Sequence, residues 1–486
     1  MGNRTETGVI VVGTGFSGLG MAVRLRKDGR DDFVVLEKAA DVGGTWRDNS
    51  YPGCACDIPS HMYSFSFEQN PGWSRTHSPQ PEIFRYLREV AGKYDVRRFI
   101  RFGQEMTGAR WDEEENRWHV STRGGDEFVA PVLVSALGAL HRPMIPELPG
   151  IEHFAGSVFH SAEWNHDFDF TGKRVAVVGT GASAIQFVPK IASQVAELTL
   201  FQRTPPWVMP KADREMPGWL HRLFRVVPPV QRLYRNFLYW TLEARAFGFN
   251  GKPWIMKIGQ RIAKRNIDRA VPDPQLRAKL TPDYTMGCKR VLISNDYYPA
   301  LARENAEVVT DGVAEVREHS VVDAAGVEHE VDAIIYGTGF HVTDAFDELE
   351  IVGRDGRNLA KEWASEGMRT HLGITVNGFP NLFLLLGPNT GLAHNSVVFM
   401  IEAQISYVAQ ALRLAGARAL EPREDVQERF NADVQRKLAN GIWTQGGCKS
   451  WYLDAKGVNR TIWPGFTWRY WLDTRTVQRE DFELLG

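Results

Sequence analysis

Cysteine is scarce in this sequence, with four residues among 486. So few cysteines argue against a disulfide scaffold and fit a reducing compartment. Cys54 and Cys56 stand two apart, which matches neither the CxxC of a redox pair nor the spacing of a zinc site. We therefore predict buried thiols at these two positions and no metal centre.

Long apolar runs and an excess of one charge are also missing. No uninterrupted apolar run reaches about 18 residues, so no membrane-spanning helix is expected. The first residues, MGNRTETG, lead straight into the strand-like VIVVG and leave no room for a signal peptide. The net charge of −2 gives no case for a nucleic-acid or a membrane-surface partner. We expect a cytoplasmic globular protein of two or three domains.

Glycine, by contrast, follows a clear pattern near the start. GVIVV (8–12) predicts a short buried strand, and GTGFSG follows it with glycines at 13, 15 and 18. In such a turn Gly13 permits the tight bend, Gly15 lets a pyrophosphate approach the backbone, and Gly18 lets the next helix pack on the strand. A second strand, DFVVLE, ends in Glu37, whose carboxylate can accept hydrogen bonds from ribose hydroxyls. The pattern predicts a dinucleotide-binding fold with phosphates at a helix N-terminus.

The same pattern recurs in the middle of the chain. RVAVV precedes GTGASA, which puts Gly179, Gly181 and Ala184 in the three positions, and the next strand leads to Arg203. Arg203 follows Gly179 at the same interval that separates Glu37 from Gly13. A carboxylate suits a free 2′-hydroxyl, whereas arginine suits a 2′-phosphate. We therefore predict FAD in the first fold and NADPH in the second.

The order of these motifs predicts the architecture. DVGGTW (41–46) is a further glycine turn, suited to lie along the flavin's ribityl chain. YGTGF (336–340) and LLLGPNT (384–390) look like strand-to-turn elements that return to the first fold. The predicted fold class is α/β, with two Rossmann-like dinucleotide-binding domains, the NADPH domain inserted into the FAD domain, and a helical subdomain. The expected limits are 1–150 and 335–486 for the FAD domain, and 151–334 for the NADPH domain with helices at about 212–280.

The connector between the two folds carries an unusual set of side chains. In FAGSVFHSAEWN (154–165), Phe154, Gly156, His160 and Trp164 form the pattern F-x-G-x-x-x-H-x-x-x-W. This pattern, set between two glycine motifs, resembles the fingerprint of the single-chain Baeyer–Villiger monooxygenases. The family commonly has Pro or Asp after the Trp, where this chain has Asn165. The sister flavin monooxygenases that oxidise nitrogen and sulfur typically have Phe or Tyr at the position of Trp164.

The resemblance implies a reaction. NADPH reduces FAD, and O₂ then adds to the reduced flavin to give a C4a-peroxyflavin. As an anion, this peroxide attacks a ketone, and the adduct rearranges to an ester or lactone. When protonated, the same peroxide oxidises sulfur or amines, so a heteroatom-oxidising flavin monooxygenase is the alternative. The ketone route requires a fixed cation beside the peroxide.

The resemblance also assigns roles to single residues. Arg290, in MGCKRVLISNDYY (286–298), matches the family's arginine beside the peroxide, and arginine suits this role because it keeps its proton. Asp57 matches the aspartate near the flavin, where a carboxylate could orient Arg290. Lys289 matches a position near the NADPH 2′-phosphate. Trp451, in CKSWY, matches a tryptophan that covers bound NADP.

The remaining predicted contacts are to the cofactors. Met106 matches a family position whose backbone meets the FAD adenine, and Gln186 is expected to line the second pyrophosphate. The other predicted FAD contacts are Ser17, Thr45, Trp46 and Asn389, and the other predicted NADPH contacts are Thr180, Ala182, Ser183 and Thr204.

The segment from about 212 to 280 has a different character. It mixes Trp, Phe, Leu and Arg at helical spacing, with a Pro-Pro break. Helices that roof a substrate cavity are the favoured interpretation, and a basic amphipathic segment on a membrane surface, through 212–262, is the less favoured one. Two further classes stay open on the sequence: a flavin or disulfide reductase, and a flavoprotein that only binds. The substrate ketone and the oligomeric state cannot be deduced.

Overall fold

The computed structural model describes residues 2–249, 253–344 and 346–486. Its first dinucleotide fold is built on a five-stranded parallel sheet. The strands, in spatial order, are Leu382–Leu384, Leu133–Ser135, Val9–Val12, Phe33–Glu37 and Ile100–Phe102. Val9–Val12 and Phe33–Glu37 are buried along their whole length, as expected for parallel strands covered on both faces. The helix Phe16–Lys27 joins these two strands.

A second, mixed sheet completes the first domain. Its strands are Arg4–Glu6, Glu127–Ala130, Arg117–Thr122, Met106–Asp112 and Glu350–Val352. The domain also contains an antiparallel pair, Ala419–Pro422 with Phe482–Leu485. The helices of this domain, besides Phe16–Lys27, are Thr45–Asp48, Gln80–Lys93, Leu359–Glu366, Val397–Ala415, Glu424–Ala439, Ile442–Gln445 and Thr467–Asp473. The chain after the second fold therefore returns to both sheets of the first.

The second dinucleotide fold has a parallel sheet of its own. Its strands are Ala306–Val309, Glu197–Phe201, Arg174–Val178, Ala333–Tyr336 and Ser157–His160. The helices Ala184–Ile191 and Tyr297–Leu301 pack together beside it. An antiparallel sheet of Val313–Arg317, Ser320–Asp323 and Glu328–Glu330 extends this fold, and Val208–Met209 pairs with Leu292–Ile293.

The strand Ala333–Tyr336 shifts the expected domain limit. A boundary at 334/335 would cut this strand, which lies inside the second sheet. The turn that follows it also belongs to the second fold, because the carbonyl of Gly337 lies against Gly179. YGTGF is thus the last turn of the second fold, rather than an element of the first. LLLGPNT does begin on the first sheet, in Leu382–Leu384.

The described residues of the segment that was expected to be helical contain five helices. They are Gly218–Val226, Pro228–Glu243, Ala246–Phe249, Pro253–Ala270 and Pro274–Leu280. Proline occupies the first turn of three of them, where its missing N–H costs no helical hydrogen bond. We refer to residues 218–280 as the helical region.

One helix, Val397–Ala415, is long and apolar enough to cross a membrane by length and composition. In the protein, 61% of the most apolar stretch of this helix is buried. It packs against the helix Phe16–Lys27 so closely that a Cβ added at Gly20 would lie 2.7 Å from the Cδ1 atom of Ile405. Its apolar character is therefore that of a core helix.

Candidate active site

The first glycine turn has the shape that a bound pyrophosphate requires. Gly13 has φ +104°, and a Cβ there would lie 2.5 Å from the carbonyl oxygen of Ala136. A Cβ at Gly18 would lie 1.8 Å from the carbonyl oxygen of Gly13, so the helix can approach the strand only without a side chain. At Gly15 the nearest atom is the Gly44 Cα at 4.0 Å, which leaves the backbone open to a ligand. Each of these three positions therefore favours glycine for a different physical reason.

The helix that starts at this turn is free to bind an anion. No side chain caps the N-terminus of Phe16–Lys27, and its first turn, which contains Ser17, has no acidic residue. Unpaired N–H groups and the helix dipole therefore face the turn. Gly44 of the DVGGTW turn lies beside Gly15 and is followed by Thr45 and Trp46. These segments form one cradle of backbone into which a dinucleotide fits.

Glu37 lies at the edge of this cradle, at the end of its strand. It is only 4% exposed, and it accepts hydrogen bonds from Thr14 and from the Ala39 amide at 2.9 Å. Arg47 forms an ion pair with it at 3.0 Å. The chain leading to Met106 passes here as well, because the Gln104 amide donates to the Glu37 carbonyl at 2.9 Å. The Glu37 carboxylate is therefore held in the position where the sequence predicts the ribose of the dinucleotide.

The second glycine turn repeats the geometry. Gly179 has φ +105°, and a Cβ there would lie 2.6 Å from the Gly337 carbonyl oxygen. Gly181 and Ala182 are exposed, while Ala184 is fully buried against the sheet. Ser183 begins the helix Ala184–Ile191 without a side-chain cap hydrogen bond. This turn too presents open backbone at a helix N-terminus.

Two cations meet beside the second turn. Thr180 donates from its hydroxyl to the carbonyl of Thr204 at 3.1 Å, which fixes the residue after Arg203 next to the turn. The Lys289 Nζ lies 5.2 Å from the ring centroid of Tyr284. Burial, and then the positive charge of Arg203, lower the pKa of Lys289 below its ordinary 10.5. Two like charges this close to each other would suit a doubly charged anion.

Arg290 and Asp57 form an ion pair between the two folds. The Arg290 Nε and Nη2 atoms donate to the Asp57 Oδ2 at 3.0 Å and 2.5 Å. The side chains keep 30% and 27% of their exposure, so a cleft reaches both. Burial alone would raise the pKa of Asp57, but the charge and hydrogen bonds of Arg290 hold it below 3.8. The carboxylate in turn raises the pKa of Arg290 further above that of an ordinary guanidinium, so both groups stay charged.

Two tyrosines lie close enough to this pair for its charges to act on their hydroxyls. The Trp46 indole donates to the Tyr63 hydroxyl at 3.2 Å, and the charges of Asp57 and Arg290 both act on Tyr63. Tyr452 is fully buried on the other side. Burial raises its pKa to about 12, although Arg290 opposes the shift. Neither tyrosine was assigned a role from the sequence, because no local signal marks it.

The fingerprint residues form the edge of the second sheet. The connector continues into the strand Ser157–His160, which pairs with Ala333–Tyr336. A Cβ at Gly156 would lie 2.4 Å from the carbonyl oxygen of Asp332, so glycine is required there. Burial lowers the pKa of His160 to about 4, which keeps it neutral and unsuited to carrying protons. Its ring packs on Phe340 at 5.6 Å.

Trp164 joins the two domains by packing. Its ring centroid lies 5.2 Å from that of Phe187 in the second fold and 6.5 Å from that of Tyr51 in the first. The side chain is 7% exposed. The tryptophan therefore belongs to an aromatic core at the domain junction, and a smaller ring would loosen that core.

Two predicted cofactor residues have other partners in the structure. The Gln186 side chain accepts from the Tyr51 hydroxyl at 3.0 Å and donates to the Ala55 carbonyl at 2.9 Å, so it bridges the two domains. Its contact with a pyrophosphate stays a prediction. The Asn389 side chain donates to the carbonyls of Asn459 and Ile462 at 3.1 Å and 3.2 Å. Only the backbone of Asn389, at φ +57°, is left for a ligand.

The cysteines divide into two kinds. Cys54 and Cys56 are free and buried, as predicted, and burial raises the pKa of Cys54 to about 12. Such thiols are poor nucleophiles, which argues against a disulfide reductase. Cys288 and Cys448, however, are bonded to each other, which the expectation of a reducing compartment did not include. The bond ties the segment before Lys289 to the loop of Trp451, whose ring is 42% exposed. A cytoplasmic location stays a prediction.

Comparison with known proteins identifies the family of this chain. The profile of the flavin-binding monooxygenase-like family matches residues 6–355. A Baeyer–Villiger monooxygenase of Pseudomonas aeruginosa is 52% identical over 480 residues, which cover 98% of this chain and 91% of that protein. The crystal structure of cyclohexanone monooxygenase from Rhodococcus sp. Phi1 bound to NADP⁺ is similar, with a TM-score of 0.90, 28% identity and full coverage of both chains. A complex of OTEMO with FAD and NADP has a TM-score of 0.87 and 27% identity, and covers 98% of this chain and 99% of that one.

The chain therefore belongs to the flavin-binding monooxygenase-like family and, within it, to the Baeyer–Villiger monooxygenases, flavoprotein oxidoreductases that use FAD and NADP.

Proposed function

We propose that this enzyme uses O₂ and NADPH to insert one oxygen atom beside the carbonyl of a ketone, giving an ester or lactone. The observation that supports it most directly is the pair of Arg290 and Asp57 between the two dinucleotide turns. Bound FAD would supply the oxygen chemistry, and bound NADPH the hydride. The first glycine turn, Glu37 and the DVGGTW turn would hold FAD, and the second turn with Arg203 and Lys289 would hold NADPH.

The role of Arg290 is to supply a positive charge that cannot be removed. Its pKa lies above that of an ordinary guanidinium because Asp57 faces it, so no base in the site can take its proton. A fixed cation in a cleft stabilises negative charge on oxygen much better than water does. Asp57 holds the guanidinium fork through two hydrogen bonds and thereby orients it. We assign Arg290 as catalytic and Asp57 as its positioning partner.

The substrate class is a ketone of low polarity. The related crystal structure is of an enzyme named for cyclohexanone. The helical region packs over the body of the protein, where it would cover a substrate, and we infer that its inner side chains select the ketone. Whether linear, cyclic or aryl ketones are preferred is decided there.

The proposed activity is tested on the purified holoenzyme with a panel of linear, cyclic and aryl ketones. NADPH oxidation should accelerate with at least one ketone, and the product should be an ester or lactone that contains one atom from labelled O₂. Thioethers and amines serve as the comparison. If they are oxygenated while no ketone yields an ester, the heteroatom-oxidising activity replaces the proposal.

The pH dependence of NADPH binding is a separate expectation. Because the pKa of Lys289 is below 10.5, its charge is lost at a lower pH than that of an exposed lysine. The KM for NADPH should therefore rise with pH on the alkaline side. The expected rise is about 10- to 100-fold, which corresponds to the free energy of one charged hydrogen bond. Lys289→Met should have a high KM with little pH dependence. An equal alkaline rise in both proteins would contradict the assignment.

A further inference from the structure

The helix Pro228–Glu243 has its apolar face on the outside. Leu233, Phe237 and Trp240 are 67%, 64% and 59% exposed. Their spacing of four and three residues puts them on one side of the helix. An ordinary surface helix buries such a stripe against the core and exposes its polar side. Here the exposed stripe requires a partner that is itself apolar.

Three of the four buried residues of this helix are polar, with Leu242 the fourth, and the polar ones fix its orientation. Arg235 is buried and donates to the carbonyls of His61 and Ser64 at 2.5 Å and 3.0 Å. Glu243 accepts from the Asn395 side chain at 2.7 Å and from the hydroxyl of Thr467 at 2.9 Å. Rotating the helix about its axis so that the apolar stripe faced inward would leave these charged side chains without their partners. The outward apolar stripe is therefore a fixed feature of the fold.

Neighbouring helices add exposed apolar side chains. Trp219 and Val226, at the two ends of Gly218–Val226, are 66% and 79% exposed. This helix packs directly against Pro228–Glu243. We call Trp219, Val226, Leu233, Phe237 and Trp240 together the aromatic face. The helix Pro253–Ala270 repeats the pattern with Trp254, Ile258 and Ile262, which are 62%, 46% and 41% exposed.

The charge around this face is strongly positive. Residues 218–270 contain eleven Lys and Arg, of which Arg235 is buried, but only two acidic residues, Glu243 and Asp268, whereas the whole chain has a net charge of −2. Glu243 is buried. Arg222, Arg225 and Arg232 are exposed, and none of the three is in an ion pair within the part of the chain that the structure describes. Aromatic side chains bordered by unpaired arginines match the surface of an anionic lipid bilayer.

A second copy of this chain fits the face less well. In a two-fold dimer the same patch meets itself, so the unpaired arginines of one copy would face those of the other. Like charges brought together in this way oppose association. An anionic lipid surface satisfies both the apolar stripe and the arginines, because acyl chains accept the former and headgroup phosphates the latter.

We propose that the aromatic face binds the protein peripherally to an anionic lipid bilayer. Tryptophan is well suited to this position because its ring sits at the boundary between headgroups and acyl chains. The sequence alone favoured a buried roof over such a surface segment. The outward stripe of Pro228–Glu243 adds a surface role to the roof, because the inner face of this helix still packs on the protein.

The test is co-sedimentation of the FAD-loaded full chain with vesicles. Wild type should bind vesicles that contain phosphatidylglycerol at least about 10-fold more tightly than pure phosphatidylcholine vesicles, since each basic residue near an anionic surface adds to the affinity. Binding should also fall in about 1 M salt, where the Debye length is about 3 Å. Equal binding to both vesicle types, or none to either, overturns the proposal.

A matched pair of variants locates the contact. The triple variant L233S/F237S/W240S should lose vesicle binding by about 10-fold or more, because burial of these side chains supplies the apolar part of the affinity. The control I145S/V327S changes two other apolar residues, 53% and 52% exposed, and should bind like wild type. Flavin content and NADPH oxidation report that each variant is folded. If the wild type is instead a dimer that the triple variant dissociates, with no vesicle binding, the face is an interface between copies and the proposal is wrong.

Discussion

Arg290→Ala is expected to abolish ester formation while leaving flavin reduction intact. Removing a preorganised donor to a developing oxyanion typically lowers the rate by about 100- to 1,000-fold. Hydride transfer from NADPH does not need this cation, so the variant should still consume NADPH and release hydrogen peroxide. The measurement is the ratio of ester to NADPH oxidised, with hydrogen peroxide determined in parallel.

The controls for this variant separate the charge from its side effects. Arg290→Ala leaves Asp57 as an unpaired carboxylate in a cleft, which itself costs stability. The double variant D57A/R290A removes that carboxylate and should be equally deficient in ester formation. Arg290→Lys keeps a positive charge but loses the fork, and should be intermediate. Near wild-type ester yield in R290A, or its recovery in the double variant, would remove Arg290 from the catalytic role.

Arg203→Ala should change coenzyme preference. A guanidinium that binds a phosphate contributes a charged hydrogen bond, so its loss should raise the KM for NADPH by about 10- to 100-fold. NADH has no 2′-phosphate and should be affected little. The quantity to compare is the ratio of kcat/KM for NADPH to that for NADH in the variant and the wild type.

A surface arginine of the same fold provides the matched control for Arg203. Arg303 is exposed and donates to Asn305 at 3.1 Å, away from the glycine turn. Arg303→Ala should leave the coenzyme ratio unchanged. Equal losses with both coenzymes in Arg203→Ala would mean that the residue supports the fold rather than the 2′-phosphate. Arg203→Ala should keep some preference for NADPH over NADH, because Lys289 lies close to Arg203 and keeps its positive charge.

The two dinucleotide folds could be predicted because their signals are local. Gly13 and Gly18 are constrained by atoms only a few residues away or on the adjoining strand, and such constraints recur in every fold of this class. The distinction between Glu37 and Arg203 also depends on position along one strand-to-turn unit. The domain limit that we expected near 335 falls inside a strand of the second fold. The sequence could not show this, because YGTGF has the composition of a turn in either fold.

The hydrogen-bond and ion-pair partners of polar side chains, in contrast, could not be predicted from local sequence. Gln186 and Asn389 carry groups that any near carbonyl can satisfy, and only the folded chain brings Ala55 or Ile462 within reach. The ion pair of Asp57 and Arg290 spans 233 positions, so the sequence could suggest it only through resemblance. The Cys288–Cys448 bond spans 160 positions and joins two segments that no spacing rule connects.

The sequence by itself determined the two glycine turns, the acid and the arginine that distinguish their dinucleotides, and the family. It could do so because these features depend on backbone conformation within about 30 residues, the length of one βαβ unit. Only the tertiary structure decided which charges meet in the cleft, which cysteines are bonded, and which side of the helix Pro228–Glu243 faces outward. Those outcomes depend on the burial of polar groups against distant segments, and a buried charge takes whichever partner the fold brings to it.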